Sequence, residues 1–330
     1  MKKSFALLLS AALLVTMLAA CGGGNTTDTD TDTQEPAADA STTQVEEQEP
    51  DTGDASKDDP LNQDEIGEKE LLVVSFGTSY NDSRRETIGA IEKAMQTAFP
   101  DYSVRRAFTS QIIIDHVKDR DGVTIDNVEQ ALERAVNNGV KTLVVQPTHL
   151  MNGLEYEELT DELAKYSDSF EKIAIGDPLL TSDADFEAVM TAITDATKDA
   201  ADGKTAICFM GHGTTADSNS VYSKMQTLLT DKGFNDYYVG TVEATPSLDD
   251  VLAAVQKGSY EKVILRPLMI VAGDHANNDM AGDEDDSWKS TFEKAGYTVD
   301  CQVEGLGQLE AIQQLFVEHA KAAVASAEAE

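Results

Sequence analysis

Five histidines are spread along the 330-residue chain, and their positions are unequal. His149 follows the run VVQPT and His212 follows AICFMG, so each stands where an apolar strand is predicted to end. Imidazole in such a place suits divalent cobalt, nickel, iron or zinc, and it also accepts a proton near neutral pH. One strand-end histidine is as readily a hydrogen-bonded structural residue; two of them, one from each half of the chain, point to a shared site. His275 lies in VAGDHANNDMAGDEDD, on a Gly-containing loop after a buried run, where it faces the same cleft, caps the loop or is solvated. His116 in QIIIDHVKDR and His319 in FVEHAKAA fall in helical patterns and are expected to lie away from the cleft.

Other chemistries find no support. The turn Gly211-His212-Gly213-Thr214 lacks the spacing of a P-loop or a dinucleotide fingerprint, and no Gly-x-Ser-x-Gly elbow occurs. The acidic run from Asp274 to Asp286 misses the spacing of an EF-hand loop and reads as an exposed acidic loop.

The elements that must position the histidines alternate. LLVVSF, TIGAIEKAMQTAF, VRRAFTS, VEQALERAVNNG and TLVVQPTHL read strand, helix, strand, helix, strand. A second series runs TAICFMGHG, SKMQTLLTDKG, YYVGTVE, LDDVLAAVQKG and KVILRPLMIV, and it closes with a helix near AIQQLFVEHAKAAV. The series match each other: Ser75-Phe76-Gly77-Thr78 takes the place of Gly211-His212-Gly213-Thr214, Pro147 falls on Pro267, and Gly153 falls on Gly273. In this register His149 corresponds to Met269 and His212 to Phe76, so the architecture itself demands neither histidine. The expected fold is α/β, two similar domains at 69–195 and 196–330, each a parallel sheet flanked by helices, facing across a cleft at the carboxyl ends of their strands.

The N-terminus reads as an export signal at 1–20, with Lys2 and Lys3, the run FALLLSAALLVTMLAA, and small residues before Cys21. The run is shorter than the roughly 20 residues a spanning helix needs. Leu-Ala-Ala-Cys resembles a lipobox, which makes Cys21 the lipidated first residue of a membrane-anchored, extracytoplasmic protein; an uncleaved anchor or plain secretion are the alternatives. Residues 21–68 are rich in Thr, Asp, Glu and Pro and read as a disordered acidic tether of about 40 Å reach. The formal net charge of -35 disfavours nucleic-acid binding. Cys208, inside a predicted buried strand, and Cys301 are expected to remain unbridged.

VVSFGTSYNDSRRETIGAIE, RAFTSQIII, VVQPTHLMNGLEYEEL, FMGHGT, VGTVEATPSLDDVL and LMIVAGDHANNDMAGDEDDSWK together resemble the anaerobic-type (CbiK-type) sirohydrochlorin cobaltochelatases, from Glu70 to about His319. The resemblance implies the two-domain chelatase fold, insertion of Co2+ into the tetrapyrrole sirohydrochlorin with release of two protons, and a place in corrin synthesis. Nickel, iron or zinc are further metals for the same site. By position it puts the essential histidines on His149 and His212, an acidic metal ligand on Asp177 in IGDPLL, and a proton-accepting acid on Glu243 in GTVEATPS. Ser75, Thr78, Ser79, Thr214 and His275 are then expected to contact the substrate. Arg84, with Arg85 and Arg106 as further candidates, is expected to pair with its carboxylates. Corrin synthesis is cytoplasmic, whereas the leader implies export; the alternative is therefore a metal- or tetrapyrrole-binding lipoprotein feeding an uptake system.

Overall fold

A computed structural model describes residues 51–329. The expected signal segment, Cys21 and the tether as far as residue 50 lie outside the described residues. Strands β1 (Lys69–Ser75), β2 (Ser103–Phe108), β3 (Thr142–Pro147) and β4 (Lys172–Ile175) form a parallel sheet in the order β2-β1-β3-β4. Strands β5 (Thr205–Gly211), β6 (Tyr237–Thr241), β7 (Lys262–Pro267) and β8 (Thr298–Cys301) form a second in the order β6-β5-β7-β8. The orders are the same once numbering is shifted by four, so the internal repeat read from the sequence is a repeat of topology. Parallel neighbours need crossovers. These are supplied by α1 (Asn81–Glu86), α2 (Ile88–Ala98), α3 (Gln111–Asp121), α4 (Val128–Asn137), α5 (Leu154–Ala164), α6 (Asp183–Thr197), α7 (Ser220–Asp231), α8 (Leu248–Val255) and α9 (Trp288–Lys294), with α10 (Glu310–Ala329) closing the chain.

The central strands are continuous apolar runs because both faces of each sheet are covered. Leu72, Val74, Leu143 and Val145 face one way, onto Leu132 of α4 and Leu159 of α5. Leu71, Val73 and Val144 face the other way, into a core that also holds Ile207, Phe209 and Ile264 of the second sheet, Val189 and Ile193 of α6, Met225 of α7, and Ile312 and Phe316 of α10. The outer face of the second sheet, with Cys208, Met210, Val263 and Leu265, is covered by Val251, Trp288 and Phe292. Cys208 and Cys301 are free thiols, and burial pushes the Cys301 thiol up to about 11. Cys208 packs in the interior of β5 as a small hydrophobe.

Two boundaries differ from expectation. The last helix does not complete the second half: α10 lies across β3, β4 and α2 of the first sheet and against α6. Its apolar stripe of Ile312, Phe316, Ala320, Ala323 and Ala327 fits the face that the first sheet leaves open, so the first half extends over 69–195 plus the C-terminal helix. The tether also ends earlier than residue 68. Residues 51–68 pack on the first half: Leu61 is buried, its carbonyl accepts from Arg106 N–H at 3.1 Å, and Asp58 pairs with both Arg84 and Arg106. Composition hid this, because an acidic run poor in apolar residues suits a solvated chain, whereas here the Asp58 carboxylate bridges two buried guanidiniums, the second of which also pairs with Glu92.

Candidate active site at the strand ends

The ends of β1, β3, β5 and β7 open onto one cavity of about 730 Å³, the size range of a small-molecule site. Loops of the same shape frame it from the two halves. Gly77 has φ of +102° and Gly213 has φ of +90°, conformations that side-chain-bearing residues rarely adopt. A Cβ at Gly77 would lie 2.5 Å from the Phe108 ring, and one at Gly213 would lie 2.9 Å from Ala244. Each loop thus turns sharply after its strand and presents the residue before the glycine, Phe76 in one half and His212 in the other, to the cavity.

Opposite the Phe76 loop, His212, Glu243 and His275 bring one ligand atom each to within 4.8 Å of one another, and this is the only such three-residue group among the described residues. Two ligands held about 2.1 Å from one ion lie at most about 4.2 Å apart, so small side-chain rotations close the set on a divalent metal. Both imidazoles are oriented. His212 Nδ1 lies 2.7 Å from the Gly213 carbonyl, and His275 Nδ1 lies 2.7 Å from Asp279 Oδ2. With Nδ1–H donating to that oxygen in each case, Nε2 is the ring atom left available to a metal. The rings meet edge to face at 4.6 Å between centroids. Asp279 reaches His275 from a π-helical turn at Ala276–Met280, a geometry frequent at functional sites.

His149 stands apart from this group. It is 7 % exposed, neither ring nitrogen has a hydrogen-bond partner, and burial pulls its pKa down to about 4. It is therefore a neutral imidazole with an open lone pair in the cavity wall. Its neighbour is Glu155 in the first turn of α5, with Oε2 3.5 Å from His149 Nε2. Burial raises the Glu155 carboxyl above the ordinary range, and His212 pulls it the other way, so Glu155 lies between the two histidine stations.

The rest of the lining is apolar or hydroxylated. Phe76, Ile112 and Leu154 are 46, 82 and 58 % exposed, and all three of these large apolar side chains point into this one cavity. Ser75, Thr78, Ser79, Thr148 and Thr214 also line it, with Thr148 Oγ1 2.7 Å from Ser75 Oγ. The acidic residues of the lining are Glu155, Glu243 and Asp274, and no Lys or Arg belongs to it among the described residues.

Several expected site residues fall elsewhere. Arg84 is fully buried and points away from solvent: Nε donates to Asp58 at 2.6 Å, Nη1 to the Thr78 carbonyl at 3.1 Å and Nη2 to Asn81 at 2.6 Å. It does not meet a substrate carboxylate, because it is fully buried and each of its three nitrogens already donates to the protein. Arg106 is likewise held by Glu92 and Asp58, and Arg85 pairs at the surface with Asp82 and Glu86. Asp177 is exposed, is absent from the lining and does not join the ligand group; it serves through its carbonyl, which accepts from Gln146 and His319. His275, expected to touch substrate, instead completes the ligand group. His116, expected to lie away from the cleft, is on the cavity lip formed by α3, whereas His319 pairs with Asp185 outside it. Glu155 and Asp279 were not singled out by sequence. An acid in the first turn of a helix is the ordinary complement to its dipole, so Glu155 carries no distinguishing signal.

A family model described as cobalt chelatase (CbiK) matches residues 69–325. The chain is 38 % identical over 251 residues to the sirohydrochlorin cobaltochelatase of Salmonella typhimurium, covering 76 % of this chain and 94 % of the relative. It is 30 % identical over 260 residues to the sirohydrochlorin cobaltochelatase CbiKC of Nitratidesulfovibrio vulgaris, covering 78 % and 91 %. Among solved structures, SirB from Bacillus subtilis with Fe3+ superposes with a TM-score of 0.56 at 15 % identity, over 80 % of this chain and 98 % of that one, which establishes a shared fold. With two facing parallel sheets and a family match over most of its length, the chain belongs to the CbiK cobalt chelatase family.

Proposed function

We propose that the protein is a sirohydrochlorin cobaltochelatase, in which His212, Glu243 and His275 receive Co2+ and His149 with Glu155 takes up the protons that the macrocycle releases. The observation that carries this reading is the placement, in one apolar cavity, of an oriented His-Glu-His group and a separate, neutral, unpartnered histidine.

Insertion replaces two pyrrole N–H bonds by bonds to the metal, so a dication enters and two protons leave. The acidic lining attracts the cation, and the histidine Nε2 atoms with the Glu243 carboxylate replace part of its water shell. Phe76, Ile112 and Leu154 cover the faces of a flat ring. Its carboxylates meet Ser, Thr and backbone N–H groups at the strand ends or remain in solvent. His149 is unprotonated at neutral pH and presents a lone pair; the Glu155 carboxylate beside it balances the charge once the proton arrives.

The test mixes purified protein with sirohydrochlorin and cobalt and follows absorbance. Product beyond one equivalent per protein supports the chelatase. A spectral change that stops at one equivalent refutes turnover and leaves a carrier, the second reading, which the lipobox-like sequence before Cys21 favours. On either reading we propose that Cys21 is acylated and that the domain is held outside the membrane. Cys21→Ser then removes the acyl group and releases or misprocesses the protein, and unchanged membrane retention with an intact acyl signal refutes it.

A further inference from the structure

We propose that Asp58 is a positioning residue for the substrate loop Phe76–Ser79, acting through Arg84. The inference rests on the reading of the cavity as the macrocycle site. Asp58 belongs to the segment 51–68, which precedes residue 69, where the match to the family model begins. Its side chain is 4 % exposed. Oδ2 accepts from Arg84 Nε at 2.6 Å and from Arg106 Nη1 at 2.7 Å, and Oδ1 accepts from Arg106 Nη2 at 3.0 Å. Arg84, so held, donates to the Thr78 carbonyl, the backbone of the loop that presents Phe76, Thr78 and Ser79 to the cavity.

The same segment grips the element that follows the loop. Thr52 O accepts from Asp82 N–H at 2.9 Å, and Gly53 O accepts from Asn81 Nδ2 at 3.1 Å. Asn81 Oδ1 in turn accepts from Arg84. Within the loop Gly77 has a φ of +102° and lies so close to the Phe108 ring that no side chain would fit there. A buried guanidinium that loses its hydrogen-bonded carboxylate must find water or move. Either outcome shifts the Thr78 carbonyl and widens the wall against which a flat ring packs. The side chains of the ligand group lie on the other half, after β5, β6 and β7; the His275 loop meets α1 at Ala272 N–H, which donates to Ser83 Oγ at 3.0 Å, rather than at Asp58 or Arg84.

The experiment compares Asp58→Asn with Glu92→Gln in the full chain, measuring kcat, KM for macrocycle, KM for cobalt and Tm. Glu92 accepts from Arg106 at 2.7 Å and is fully buried, yet it touches neither Arg84 nor the loop. Both variants should melt earlier. Asp58→Asn alone should raise the macrocycle KM roughly tenfold while cobalt KM stays within about twofold, since sub-ångström misplacement of a contact wall is felt where the ring docks. Arg84→Lys keeps a charge for Asp58 but loses the fork that reaches Thr78, and it should give the same rise; it stands in if Asp58→Asn does not fold. A macrocycle KM that stays within twofold of wild type in a folded Asp58→Asn or Arg84→Lys variant overturns the proposal. Wild-type protein that neither binds nor metallates the macrocycle overturns the cavity reading, and this inference with it.

Discussion

The two halves share strand order, loop shape and a glycine in left-handed conformation, yet they offer the cavity opposite chemistries. At the first turn one presents Phe76 and the other His212; two residues past the prolines that end β3 and β7, one presents His149 and the other Met269. At these two matched positions each half thus presents one imidazole and one apolar side chain, crosswise. The imidazoles differ in turn. His212 is exposed, oriented by a backbone carbonyl and surrounded by Glu243 and His275, which suits a cation arriving from water. His149 is buried and unpartnered, which suits a group that must stay neutral until the ring is in place. On the proposed reading, symmetry of backbone with asymmetry of side chains assigns a metal to one wall and protons to the other.

Making the halves alike should abolish function most completely at the metal wall. His212→Phe, which copies Phe76, should weaken cobalt binding in calorimetric titration by more than about 100-fold, because even outer-shell partners of a ligand cost 10–100-fold. Adding His275→Ala should then cost little more, since the ligands of one ion are not independent. An affinity that survives both changes would dissolve the assignment of that wall to the metal.

His149→Met, which copies Met269, should separate the two roles. Cobalt affinity should remain within about threefold while the insertion rate falls by about 10²–10⁴, the range for a lost proton acceptor. Equal losses in both quantities would mean that His149 ligates the metal together with His212, as sequence alone suggested.

The burial of His149 also has a signature in stability. Its folded pKa of about 4 lies below the ordinary histidine value near 6.5, so the unfolded chain takes up the proton first as pH falls. Metal-free wild type should therefore lose stability relative to His149→Met as pH drops from about 6.5 to about 4, by at most about 3 kcal/mol, and the gap should stay constant below that window. Chemical denaturation at a series of pH values checks this, and a wild-type stability that, relative to His149→Met, does not fall between about pH 6.5 and pH 4 would contradict it.

The smallest effect concerns what the halves have in common. Gly77→Ala and Gly213→Ala each force a side chain into a left-handed, crowded turn and should each cost about 1–3 kcal/mol. If only one of them is destabilised in thermal melts, the loops are not mechanical equivalents.

Much of the architecture was legible because parallel strands covered on both faces leave unbroken apolar runs such as LLVVS and AICFM. The strand-end positions of His149 and His212 followed directly from those runs. The partners of each histidine were not legible. Glu243 and His275 join His212 only because three loops after three different strands converge, and no local pattern records that convergence. Arg84 shows the converse error: an arginine beside a glycine loop reads as a carboxylate clamp, and only the fold reveals Asp58 occupying its fork. The segment 51–66 shares the composition of the residues before it, so nothing in its residue types distinguished Asp58 and Leu61 from a solvated run.

The C-terminal helix has a consequence for how the molecule comes into being. Because α10 seals the face of β3 and β4, the half that is synthesised first carries an open apolar surface until the last twenty residues of the described chain are available. Folding cannot proceed from one end to the other as two finished beads. The nascent first half has to wait for α10, and during that wait its exposed face is the part of the polypeptide most in need of a chaperone.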